Sequence, residues 1–192
     1  MLDHLYARIL ALAASRHAMA ALVLVAFAEA SFFPLPPDLL LIPMILARPR
    51  RAFAIAAVCT LASVAGGFLG YAIGYFLFEA IGRPLLEFYH AMPRYEALKT
   101  AFAEWGVWII IVKGLTPIPY KLVTIASGVA HFDLAAFAFA SLVSRSLRFF
   151  LVAALLWRFG EPVRVFIERR LMLVTSLFAV ALVGGFAVLR YL

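Results

Sequence analysis

The chain has 192 residues, of which 66% are hydrophobic, with a mean hydropathy of +1.03 and a formal net charge of +7. An ordinary soluble domain is about 45–50% apolar, so this composition excludes one and fits a single membrane domain. One cysteine, Cys59, rules out a disulfide framework or a cysteine-based metal site. Positive charge on so apolar a chain implies basic membrane flanks or contact with anionic lipid as partner, and nucleic acid is not expected.

Residues 1–17 space Leu2, Leu5, Tyr6, Ile9, Leu10 and Ala13 as one apolar helical face, which predicts an amphipathic helix lying in the interface. Residues 18–33 are apolar except for Glu29 and span only ~24 Å as a helix. Residues 39–47 span ~13 Å by the same rise. Between them Pro34, Pro36 and Pro37 break the helix, because proline lacks the amide donor and clashes with the preceding turn. Neither arm crosses a ~30 Å hydrocarbon core. The segment 18–47 therefore reads as a re-entrant hairpin, with one kinked helix as the alternative. The apolar run passes the small-residue site at Ala26 and Ala28 and continues to Ala47, so no signal cleavage is expected there.

Residues 52–78 carry no charge and are long enough to cross a bilayer. Gly66, Gly70 and Gly74 form a small-residue ladder, which lets another helix approach closely. That ladder admits a homodimer contact as well as an intrachain one. Residues 79–104 are the longest polar stretch and read as extracytoplasmic, the second half lying on the membrane surface. Residues 105–131 form the second hairpin, interrupted at Pro117 and Pro119. Residues 134–157 and 171–191 read as further transmembrane helices.

The charges fix the expected orientation. Arg8, Arg16, Arg48, Arg50, Arg51, Arg158, Arg164, Arg169 and Arg170 fall on one side, against Arg83, Arg94 and Lys99 on the other. The N terminus is therefore expected in the cytoplasm of a multi-pass bacterial inner-membrane protein. The two hairpins then enter from opposite faces. The expected fold is an all-α polytopic membrane protein: an inverted repeat with two opposed re-entrant hairpins plus transmembrane helices. Helices broken at corresponding places in the two halves point to a transport site near the midplane.

The ionisable residues inside these apolar segments carry the chemistry. Arg145 and Arg148 lie three apart, on one helical face that Ser141 and Ser144 extend. Each costs ~2.5–3.5 kcal/mol or more at the bilayer centre, so something must compensate. A guanidinium fork suits a phosphate, and an ion pair with Glu29 or Asp38 suits the same residues. Glu29 and Asp38 flank the first break, where they either pair statically with the basic set or change protonation and so carry proton coupling. Lys113 and Lys121 flank the second break, either as phosphate ligands or snorkelling to the interface. The four histidines, at positions 4, 17, 90 and 131, show no metal-ligand spacing, and no serine sits in a nucleophile elbow. No cofactor, no metal and no enzymatic activity are expected.

Glu29-x4-Pro34-x-Pro36-x-Asp38, the Gly66/Gly70-Tyr71/Gly74 run, Trp105-Gly106 leading to Lys113, Thr116-Pro-Ile-Pro-Tyr-Lys121 and Ser127-Gly128 together resemble the DedA family, also called the VTT or SNARE-associated family, in its short YqaA-like branch. The resemblance covers roughly residues 20–160. It implies paired re-entrant hairpins and movement of lipids between leaflets, including polyprenyl phosphate recycling and phospholipid scrambling. It also implies that the functional acidic pair falls on Glu29 and Asp38, and the basic pair on Lys113 and Lys121. Both basic positions are lysines here, where the family pattern has arginines. The function expected first is a flippase for an anionic lipid, foremost a polyprenyl phosphate such as undecaprenyl phosphate, in which Lys113, Lys121, Arg145 and Arg148 hold the headgroup. The alternatives are an uncoupled phospholipid scramblase and, from another class, a non-transporting assembly protein.

Overall fold

A computed structural model describes residues 17–88, 90, 92–115, 119–160 and 162. The expected amphipathic helix over 1–17, apart from His17, the final span 171–191 and Pro117 lie outside the described residues. Among the described residues every regular element is helical: α1 (Ala18–Ser31), α2 (Asp38–Ala47), α3 (Ala52–Leu77), α4 (Arg83–Phe88), α5 (Met92–Leu115), α6 (Tyr120–Val129) and α7 (Leu134–Gly160). Two of these helices are long and apolar enough to cross a membrane, Pro49–Gly82 around α3 and Leu134–Gly160.

The first proline cluster acts as its chemistry requires. α1 ends where Phe32 and Phe33 both donate backbone N–H groups to the Ala28 carbonyl. Residues 33–36 take no helical form, and α2 starts when Leu41 donates to the Pro37 carbonyl. Pro34 is exposed, Pro36 half-buried and Pro37 buried, so the break turns inward as it enters α2. At 14 and 10 residues, α1 and α2 are ~21 and ~15 Å long.

α3 is the central helix, and its glycines explain how. A Cβ on Gly66 would fall on the Phe27 carbonyl of α1, and one on Gly74 would fall on the Ile125 carbonyl of α6. At Gly70 it would meet both the Thr124 hydroxyl of α6 and the Ala30 carbonyl of α1. Hydrogen bonds complete the contacts: Ser31 Oγ donates to the Gly66 carbonyl at 2.9 Å, and Thr124 Oγ1 to that of Ala30 at 3.0 Å. All three rungs of the ladder thus meet elements of the same chain.

The contacts also order the bundle along α3. Ala18, Leu22, Ala26, Leu41 and Ile45 share a core with Ala52, Ile55 and Cys59, near the Arg48–Arg51 end. Tyr120, Val123, Ala130 and Phe137 build a second core, and His131 lies 3.2 Å from Glu79 at the far end of α3. The α1–α2 and α5–α6 segments therefore meet the middle of α3 from opposite ends.

The polar stretch joins helices on both sides. A π-helical turn over Phe78–Gly82 prolongs α3, and α5 runs unbroken from Met92 to Leu115, across the boundary at residue 105. Gly106 does not interrupt it, because glycine inside a helix costs only about 1 kcal/mol and here lets the Phe132 ring close against the backbone. α7 likewise runs to Gly160, three residues past the expected end.

The α6–α7 turn is tightly specified. His131 adopts φ 54°, the left-handed conformation that ends many helices. Asp133 caps α7 by accepting from the Ala136 amide at 2.7 Å. Tyr71 on α3 donates its hydroxyl to the Phe132 carbonyl at 2.6 Å. Tyr71→Phe is expected to cost about 1 kcal/mol, read as a lower midpoint of thermal unfolding in detergent.

Candidate functional site

Where the two broken segments converge on α3, α7 contributes one buried polar face. Ser141, Ser144 and Arg145 are all buried, and Arg148 follows one turn below Ser144. Burying a guanidinium in an apolar bundle is sustainable only with charge and hydrogen-bond compensation. Three elements supply it to Arg145. Its Nη2 donates to Glu29 Oε2 of α1 at 2.8 Å, and its Nε donates to Ser63 Oγ of α3 at 2.8 Å. The Tyr120 ring of α6 lies 4.1 Å from Cζ, and Phe149 of α7 itself lies 5.0 Å away. An arginine over aromatic faces gains cation–π energy, more so when desolvated.

The second pair is built differently. Arg148 Nη2 donates to Asp38 Oδ2 at 2.8 Å. Asp38 opens α2, where an anion is favoured by the helix dipole. Arg148 keeps 29% of its side chain exposed, against 2% for Arg145. One guanidinium is sealed and the other is reachable, although both carboxylate partners flank the same break.

Lys121 sits half-buried in the first turn of α6, within electrostatic reach of Glu29. Lys113 is half-buried near the end of α5. Pro119, half-buried, immediately precedes α6. The structure thus brings Glu29, Asp38, Arg145 and Arg148 into two pairs, with Lys121 near the first of them.

Ser63 and Tyr120 were missed as partners of the buried arginine. A signal existed for each. Ser63 shares the α3 face of Gly66, Gly67 and Gly70 by i, i+3, i+4, i+7 spacing, and so points at the same junction. Tyr120 stands between the break proline and Lys121. Neither signal alone selects an arginine partner, since serines and tyrosines on such faces commonly serve packing.

A domain model described as the VTT domain matches residues 23–158. A Haemophilus influenzae protein described as uncharacterized is 40% identical over 149 residues, covering 77% of each chain. An uncharacterized protein of Histophilus somni is 38% identical over 151 residues, covering 79% of this chain and 78% of its own. No solved structure matches the chain. The domain match encloses both breaks, the central helix and both arginine–carboxylate pairs, and with it the chain belongs to the VTT-domain, or DedA, family of membrane proteins.

Proposed function

We propose that this protein moves an anionic lipid between the leaflets of a bacterial inner membrane as a flippase, its N terminus cytoplasmic and its two broken segments re-entrant from opposite faces. A polyprenyl phosphate is the foremost candidate substrate. The observation that carries the reading is the half-buried, reachable Asp38–Arg148 pair beside the sealed Glu29–Arg145 pair, at the meeting point of the two breaks. A phosphate competes with Asp38 for Arg148, because both bind the same guanidinium donors. Protonating Asp38 removes the attraction that closes the pair, and so links headgroup capture to a proton. Lys121 and Lys113 add positive charge on the side of the second break. Arg145 takes part from inside, holding α1, α3 and α6 around the site.

A second reading, a non-transporting assembly protein, draws on the same pairs, since both are closed at 2.8 Å. Reconstitution separates them. Liposomes holding a polyprenyl phosphate and a labelled phospholipid are assayed for leaflet exchange of each, with and without a proton gradient. Gradient-sensitive movement of the phosphate lipid alone is expected, with at least tenfold loss in Arg148→Ala of unchanged helicity. Equal, gradient-indifferent exchange of both lipids identifies an uncoupled scramblase. No exchange by folded protein establishes the assembly reading, and a wild-type rate in Arg148→Ala removes that residue from the headgroup site.

A further inference from the structure

Two irregularities of the backbone meet at the far end of α3. The π-helical turn over Phe78–Gly82 widens the helix and re-aims the side chains it carries. Across from it, His131 stands in the left-handed region at φ 54°, where glycine is the usual occupant. Together they set Nε2 of His131 3.2 Å from Oε1 of Glu79. π turns and left-handed residues both concentrate at functional positions. Here each supplies one member of a single pair.

The geometry of the pair suits two charges better than a neutral hydrogen bond. Nε2 of His131 is buried and has no aligned hydrogen-bond acceptor, although the carboxylate oxygen is within ion-pair distance. The contact therefore gains its attraction when the imidazole carries a proton. An imidazole changes charge near neutrality. Both side chains also reach solvent, at 30% and 43% exposure, so a proton can come and go. Tyr75 of α3 lies against the imidazole, 4.4 Å between ring centroids, and an aromatic face attracts a cation resting on it.

The other groups around His131 define what the pair can exchange with. Arg83 of α4 lies 3.8 Å from the second carboxylate oxygen of Glu79, and 3.3 Å from Glu87. Glu79 thus keeps a cation when His131 is neutral. Asp133 accepts from the Ala136 amide, and Tyr71 donates to the Phe132 carbonyl. α5 meets this region through Phe102 on Phe132 and through Tyr95 stacked on Phe78. Those ring contacts are indifferent to pH. Of all these contacts, His131–Glu79 is the one whose strength changes near neutral pH.

We propose that Glu79 and His131 form a proton-operated latch, which ties the α6–α7 turn to the end of α3 when His131 is protonated and releases it when His131 is neutral. On the flippase reading, on which this inference builds, the latch stands at the end of the bundle away from Arg48–Arg51 and governs access from the extracytoplasmic face. Releasing it frees the start of α7, the helix that carries Arg145 and Arg148.

Amide hydrogen exchange tests the latch without any lipid movement. Full-length protein in nanodiscs is labelled at about pH 5 and about pH 8, the span over which an imidazole changes charge. Rates are corrected for the intrinsic pH dependence of exchange. His131 and Phe132 donate their amides to the Gly128 and Ser127 carbonyls, so opening of the turn exposes both. In the wild type, residues 130–136 are expected to be several-fold better protected at the acid pH, while residues 18–30 do not change. The difference should vanish in Glu79→Gln and in His131→Asn, since asparagine tolerates the left-handed region. Equal wild-type protection at the two pH values overturns the latch. So does a difference that survives in either variant, which would belong to Asp133 or Glu87. Protection is read in protein at rest, so the latch stands or falls whether or not the protein moves lipid.

Discussion

Arg145→Ala is expected to destabilise the fold by about 3–5 kcal/mol, the range for breaking a buried ion pair from one side. Glu29 would lose its guanidinium partner, Ser63 its donor and the Tyr120 ring its cation, all at once. The loss should appear as a sharply lower unfolding midpoint in detergent, or as failure to accumulate in the membrane. Replacing both partners, Glu29→Gln with Arg145→Met, should recover much of it, because removing both charges avoids the stranded carboxylate. Arg148→Ala should behave differently, keeping its fold, since Arg148 and Asp38 both reach the surface of the site. Equal midpoints for Arg145→Ala and wild type would show that the buried pair carries no structural weight.

The second large effect is expected at the ladder. Gly66→Ala and Gly74→Ala each drive a methyl into a backbone carbonyl, at Phe27 and Ile125 respectively. Backbone cannot swing aside as the end of a flexible side chain can, so α1 or α6 must shift bodily away from α3. Overpacking of this kind costs typically 1–3 kcal/mol and occasionally more. Gly67→Ala is the internal control, because its methyl meets only ordinary van der Waals contacts. Midpoints for the three alanine variants should therefore fall into two groups, with position 67 close to wild type. A uniform rise would mean that helix propensity, in which alanine gains over glycine, decides at all three positions and the close contacts do not.

The contrast between positions 66 and 67 marks the limit of what the sequence reveals. Spacing identifies Gly66, Gly70 and Gly74 as one face, but not whether that face meets another copy or the same chain. It is the carbonyls of Phe27 and Ile125, from segments far apart in sequence, that decide. The breaks were readable because proline acts locally: it removes a donor wherever it stands. Gly106, inside α5, shows the complementary case. Its cost to a helix is small, and a ring brought by the fold, Phe132, compensates for it. The charged set was legible as four costly residues needing partners, and electroneutrality narrowed the choice to acidic against basic. Which carboxylate meets which arginine was not readable, since both arginines share a helix face and both acids flank one break. The pairing follows from the three-dimensional turn between α1 and α2, which sets Glu29 deeper than Asp38.

Gly70 touches the α1 segment and the α6 segment at the same point, and the Thr124 hydroxyl bridges them there to the Ala30 carbonyl. The two broken segments are thus riveted to each other across α3 and not merely to it. One cannot slide along the central helix without dragging its counterpart, unless that single hydrogen bond parts first. Any relative movement of the two segments must therefore open the contact at residue 70 and break the Thr124–Ala30 hydrogen bond.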